Sequence, residues 1–207
     1  RIRKSIGVHP NLPYEDYLLA RYSPDRERIN ALKKWLAEFG KHDADGTTAA
    51  LFLIWKNCPN GSSERTLAGQ TAIAHFDQIL NEAGPHLVNA QLALMVFHKA
   101  EIETTFDYAA AESTLSRAVR VWATQLSYSD AERMFETLLN LPCVHNSSSR
   151  MEMYSKSALL ALPNSILLKT KYARGLYDHH CKAQAAKIVK ESARTVLLGG
   201  GEIEAVA

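Results

Sequence analysis

The sequence predicts an all-α protein built from antiparallel helix hairpins. Sustained period-2 alternation of Val, Ile, Thr and aromatic residues is missing, so no segment reads as a strand. Apolar residues recur instead at helical spacing, in blocks of roughly 12 to 20 residues. Short polar breaks carrying Gly, Pro, Ser and Asn separate the blocks, which is where helices start and stop.

Taken in order, the start signals are explicit. Ser23-Pro24 offers a capping hydroxyl before a proline at the first helical position, where a missing N–H costs nothing. Asp107 precedes an alanine-rich run as a plain N-cap. Ser129-Asp130-Ala131-Glu132 and Ser149-Arg150-Met151-Glu152 have the spacing of capping boxes, in which serine and glutamate satisfy orphan N–H groups reciprocally. Gly40, Pro59, Gly84-Pro85, Pro142 and Pro163-Asn164 are the stops. Together they predict about ten helices, over 14–22, 24–39, 46–57, 64–82, 86–104, 108–125, 129–141, 149–162, 165–178 and 182–198. Connections shorter than about eight residues make neighbouring helices hairpins. Trp35, Phe39, Phe52 and Trp55 stand at helical spacing and read as hairpin core. No segment reads as a flexible linker, so residues 1–207 are expected to form one helical-repeat domain.

The last two hairpins repeat with an offset of 34 residues: Met151, Ala158 and Pro163 fall on Ala185, Ser192 and Leu197. Small residues at Ala173, Ala185 and Ser192 let the helices of a hairpin approach. Tyr172, Leu176 and Val189 are then expected to fill the groove between that hairpin and its neighbours. In these positions the sequence resembles the tetratricopeptide repeat family, with its pattern W-x2-L-G-x2-Y-x8-A-x3-F-x2-A-x4-P. Ala158 and Pro163 match the end of the pattern one unit earlier, and Ala111, Leu115 and Ala118 reproduce its A-x3-F-x2-A spacing. Lys169 stands where the family has tryptophan, and Leu197 where it has the closing proline. The step from Ala72 to Ala111 is 39 residues, so the regular repeat covers 89–198 and the hairpins over 12–88 are degenerate. Irregular spacing with Trp55 and Trp122 inside helices is also similar to the half-a-TPR repeats, a family that implies RNA-processing assemblies. Either resemblance implies a right-handed superhelical solenoid whose concave face is lined by alternate helices, here 46–57, 86–104, 129–141 and 165–178. The helix at 24–39 would then be the second of a pair begun by 14–22, as expected of a segment of a longer array.

Composition bounds the function. A formal net charge of +2 on 207 residues does not by itself indicate a nucleic-acid or membrane partner. No run of about 18 uninterrupted apolar residues is present, so no membrane insertion is expected. The odd, sparse set Cys58, Cys143 and Cys181 fits a reducing, intracellular setting, cytoplasmic or nuclear. The triplets Asn60-Gly61-Ser62 and Asn146-Ser147-Ser148 read as turn chemistry before glycosylation.

Candidate chemistry is sparse. Cys143-x-His145 and His179-His180-Cys181 lie one repeat apart in hairpin turns, on one edge of a solenoid. Without a C-x2-C pair they read as ordinary turn residues, with a structural metal as the alternative. Gly199-Gly200-Gly201 lacks the Lys-Ser/Thr of a phosphate loop and reads as a helix C-cap. Glu101 and Glu103 fall on different helix faces, and no histidine or serine sits in a hydrolase motif. No catalytic activity, cofactor, metal or small-molecule substrate is therefore expected. Charge supplies the one directional feature. Between Ser165 and Thr195 lie Lys169, Lys171, Arg174, Lys182, Lys187, Lys190 and Arg194 against Asp178 and Glu191, while Lys99–Glu136 carries four basic and seven acidic residues. The basic hairpin is the expected contact for a protein partner with an acidic segment, the chain acting as an interaction scaffold within a larger complex. The alternative is RNA, met through its phosphates by an assembly factor of the half-a-TPR kind.

Overall fold

The structure, a computed structural model, describes residues 18, 21–22, 25–41, 44–83, 90–123 and 125–204. The described elements are all helices, numbered α1 to α10 along the chain: Asp25–Phe39, Ala44–Asn57, Ser63–Ala83, Ala90–Glu103, Tyr108–Trp122, Tyr128–Asn140, Pro142–His145, Ser148–Ala161, Ile166–Asp178 and Lys182–Glu204. The chain divides into two compact units, residues 1–84 and 85–207. Of the expected helix at 14–22 only Leu18, Arg21 and Tyr22 are described, with the Tyr22 N–H donating to the Leu18 carbonyl at 3.0 Å; the Ser23-Pro24 start, the Gly84-Pro85 stop and residues 86–89 lie outside the described residues.

In the first unit α2 packs on both α1 and α3. Its apolar stripe meets that of α1 in a core of Leu32, Trp35, Ala50, Ile54 and Cys58. Trp35 stands 6.1 Å from the half-buried Phe39, and Phe52 stands 5.6 Å from Trp55, both tilted ring pairs within one helix. The α2–α3 turn shows why the Asn60-Gly61-Ser62 triplet is there. Gly61 takes φ +75°, a left-handed conformation that only glycine adopts cheaply, and Ser62 Oγ then accepts from the Arg65 N–H at 3.1 Å to cap α3. Arg65 closes the turn, its guanidinium 4.5 Å over the Trp55 ring and donating to the Cys58 carbonyl at 2.9 Å.

In the second unit each long helix packs on the next, and contacts also join α4 to α6 and α6 to α9. The hairpins are antiparallel. In the last one Ala173 meets Ala185 while the Lys182 ammonium lies 5.6 Å over the Tyr177 ring, pairs symmetric about the His179–Cys181 turn. Ala173, Ala185 and Ser192 are buried, as the small-residue spacing predicts, and Ala111, Leu115 and Ala118 are buried in α5. Gly175 gives a second close approach. A Cβ there would lie 2.7 Å from Met151 Cγ of α8, so the absence of a side chain lets α8 and α9 close. Buried Lys99 of α4 donates to Glu103 Oε1 and to Thr114 Oγ1 of α5, each at 2.7 Å, and so ties α4 to α5. The other Glu103 oxygen is buried with no hydrogen-bond partner.

Several expected boundaries move. Both capping serines lie two residues earlier than the sequence predicts. Ser127 accepts from the Asp130 N–H at 3.2 Å, and Ser147 from the Arg150 N–H at 3.4 Å, so α6 and α8 begin before Ser129 and Ser149. At the start of α6 the Ser127 hydroxyl also bonds the Asp130 carboxylate at 2.6 Å, while the expected box partner Glu132 turns to Ser165 of another helix. Pro142 does not simply stop a helix. It occupies the first position of the short α7, where proline's fixed φ and missing N–H are tolerated. Gly199-Gly200-Gly201 is not a C-cap, since α10 continues through it to Glu204. A glycine cap would adopt positive φ, and the one described glycine with positive φ is Gly61, in the α2–α3 turn.

The Lys99–Glu103 pair makes a direct stability prediction. Lys99→Met leaves a buried carboxylate without its counter-ion and is expected to cost about 3–5 kcal/mol in urea unfolding. Lys99→Met combined with Glu103→Leu is expected to unfold close to the parent or above it. Equal destabilisation by the single and double variants would show that packing, not charge, sets the cost.

Candidate functional site

The seven basic residues of the last hairpin do not act as one free patch. Lys171 Nζ donates to Asn140 Oδ1 at 2.9 Å and lies 3.4 Å from Glu136, both on α6. Arg174 Nε stands 4.0 Å from Asp178, and Lys182 rests on Tyr177. Lys169 is half-buried, whereas Lys187, Lys190 and Arg194 are exposed. Part of the basic excess therefore serves to seat α9 on α6.

That seat is built from three contacts. The buried Ser165 Oγ caps α9 by accepting from the Leu168 N–H at 3.0 Å and gives its own proton to Glu132 of α6. Lys171 meets Glu136 and Asn140, and Met151 of α8 covers Gly175. A small polar cleft of about 230 Å³ remains at this junction, bounded by Leu139, Asn140, His145, Met151, Lys171 and Arg174.

The turn clusters come together in part. His179 Nε2 lies 2.9 Å from the His145 carbonyl oxygen and must donate to it, which fixes the His179 tautomer. His145 Nε2 lies 3.3 Å from Asp178. Cys143 points away, its thiol 3.5 Å from Glu112 of α5, and Cys181 contacts the His179 carbonyl. Among the described residues no group of three or more His, Cys, Asp and Glu side chains is placed to hold a metal ion. His180 takes φ +64°, and its N–H and that of Cys181 bond the Tyr177 and Leu176 carbonyls, so a histidine fills the place in a Schellman closure where glycine is usual.

Glu112 is a second junction, between α5 and α8. It accepts from Arg150 at 2.8 Å and from the Tyr154 hydroxyl at 2.9 Å, with the Cys143 thiol beside it. Burial pushes the Cys143 thiol above its ordinary value and Glu112 adds to the shift; burial does the same to Cys58.

The feature that sequence reasoning missed is an open groove of about 560 Å³ between α9 and α10. Its floor is apolar, with Ala173, Ala185, Ala186 and Val189, and Arg174, Lys182 and Lys190 stand at its edge. The repeat spacing predicts Val189 as a filler between hairpins; it is instead 56% exposed, as is Tyr177, because no described helix covers that face. The 34-residue offset, carried on from Leu139 and Met151 to Ala173 and Ala185, is the signal that could have found the groove.

Among the described residues no helix is long and apolar enough to cross a membrane.

Two measurements probe these junctions. Aspartate is ordinarily as good an N-cap as serine, but at Ser165 its carboxylate would face Glu132. Ser165→Ala is expected to cost about 1–2 kcal/mol by urea unfolding, Ser165→Asp more than that, and Glu132→Gln is expected to rescue the Asp variant. For Cys143, raising the folded pKa means that stability is intact below the ordinary thiol range and falls as pH rises beyond it. Glu112→Gln is expected to speed iodoacetamide labelling of Cys143 at pH 8.5 by about threefold or more, read by mass spectrometry.

No protein-family model matches the chain, and no curated protein or solved structure was found to match it.

Proposed function

We propose that this chain is a non-catalytic interaction scaffold, a tetratricopeptide-like solenoid segment that holds a helix or extended segment of a protein partner. The observation that carries the reading is the packing order in residues 85–207. Each helix contacts the next, and α4, α6 and α9 contact one another in turn, which is how a stack of hairpins lays alternate helices side by side. The buried small residues at Ala111, Ala118, Ala158, Ala173 and Ala185 agree with that arrangement. A stack of this kind presents a continuous surface made by several helices, and it binds by shape and charge. The apolar, basic-edged groove of the last hairpin favours a protein partner over RNA. Its floor offers alanines and a valine, with no row of exposed aromatic rings on which bases would stack.

Lysine crosslinking of the tagged full-length protein in its native cells tests the reading. Intermolecular crosslinks are expected to concentrate on Lys169, Lys182, Lys187 and Lys190 and to survive nuclease treatment. Crosslinks spread evenly over all exposed lysines would overturn it. Tight binding of labelled RNA, lost on charge reversal at Lys187, Lys190 and Arg194, would replace it with the RNA-assembly reading.

A further inference from the structure

The α9–α10 groove has an internal counterpart that indicates what fits it. Leu139 and Asn140 of α6 and Met151 of α8 border the seat of α9. Thirty-four positions further on stand Ala173, Arg174 and Ala185, and all three line the groove. Glu136, which meets Lys171, corresponds by the same offset to Thr170, also at the groove. The groove is therefore the same face, one repeat later, as the face on which α9 is seated.

Two substitutions change what that face accepts. Leu139 and Met151 are large and the equivalent Ala173 and Ala185 are small, so the terminal face is a hollow that takes bulky apolar side chains. The earlier face offers the carboxylates Glu132 and Glu136 to α9. At the same places the terminal face offers Ile166 and Thr170, and Arg174, Lys182 and Lys190 border it with no acid among the lining residues. A helix bearing a lysine where α9 carries Lys171 fits the earlier face and is repelled by this one.

We propose that the α9–α10 groove docks an amphipathic helix from a partner protein, with bulky apolar residues along one stripe and acidic residues flanking it. This rests on the scaffold reading above and names the occupant of its α9–α10 hairpin. The helix lies where a following repeat's first helix would lie, its apolar stripe over Ala173, Ala185 and Val189. Its carboxylates meet Arg174, Lys182 and Lys190. Exposure of Tyr177 and Val189, each 56%, is the apolar surface it removes from water.

The test uses fluorescence anisotropy of two synthetic helical peptides, each about five turns long with the same leucine stripe, one flanked by glutamates and one by lysines. The full-length protein is expected to bind the glutamate-flanked peptide at least tenfold more tightly. Val189→Glu is expected to weaken that binding at least tenfold while leaving the circular dichroism and the urea midpoint near the parent's. Combined Arg174→Glu, Lys182→Glu and Lys190→Glu is expected to reverse the preference between the two peptides, which a merely destabilised hairpin would not do. Equal affinity for both peptides, or no response to Val189→Glu, overturns the proposal. So does self-association by sedimentation that Val189→Glu abolishes, because the occupant is then a second copy, and so does binding by residues 1–207 that the full-length protein lacks, because the occupant is then a following segment of this chain. RNA binding lost in the charge-reversed protein and kept in Val189→Glu also overturns it. If crosslinks to a partner persist on other faces while both peptides fail, the scaffold reading stands and this assignment alone falls.

Discussion

The seat of α9 against α6 and α8 is the contact on which the C-terminal hairpin depends, and it is held by groups that each do two things. Ser165 both caps α9 and satisfies Glu132, so the start of one helix is locked to the side of another. Lys171 neutralises Glu136 and occupies Asn140. Gly175 gives up a side chain so that Met151 can lie against the α9 backbone. Charge, capping and shape therefore agree on one register, and a slip of α9 by a single turn would break all three at once. Such agreement among levels is what gives a helical stack one arrangement, since apolar stripes alone tolerate sliding.

The same logic explains why basic residues in α9 and α10 are not equivalent. Lys171, which faces back toward α6, is used in seating α9 on that helix. At the α9–α10 groove, Arg174 stands 4.0 Å from Asp178 and Lys182 rests on Tyr177, while no carboxylate lies among the residues lining the apolar hollow. In the proposed docking, a positive edge around an apolar floor selects a partner by both area and sign. Four of the seven acids of Lys99–Glu136 are engaged in a comparable way, with Glu103 buried against Lys99, Glu112 shared by Arg150 and Tyr154, and Glu132 and Glu136 turned to α9.

The turn chemistry shows a similar division between local and tertiary demands. Asn60-Gly61-Ser62 and Asn146-Ser147-Ser148 each contain a helix-capping serine, Ser62 or Ser147, and only the first needs a left-handed glycine. At His180 the left-handed position is filled by histidine, at a cost of about 1 kcal/mol relative to glycine. The neighbouring His179 bonds the preceding turn at His145, which joins two turns 34 residues apart without a metal ligand set among the described residues.

Periodicity and punctuation by themselves determined the all-helical architecture, the places of the hairpin turns, the buried faces of α5 and α9, and the 34-residue offset, because these depend on residues within a few turns of one another. The Asp107 cap of α5 was legible to the residue, since its carboxylate accepts from the Ala109 N–H at 2.8 Å, but the caps of α6 and α8 only to within two residues, because Ser127 and Ser129, or Ser147 and Ser149, are chemically equivalent candidates. Which charges pair across α6 and α9, and that Glu132 serves Ser165 and not its own helix start, required the fold, since 33 residues separate those partners. The exposure of Val189 was decided by tertiary structure alone. A valine at a groove-filling position reads as core in any one-dimensional pattern, and only the arrangement of helices shows that no described neighbour covers it.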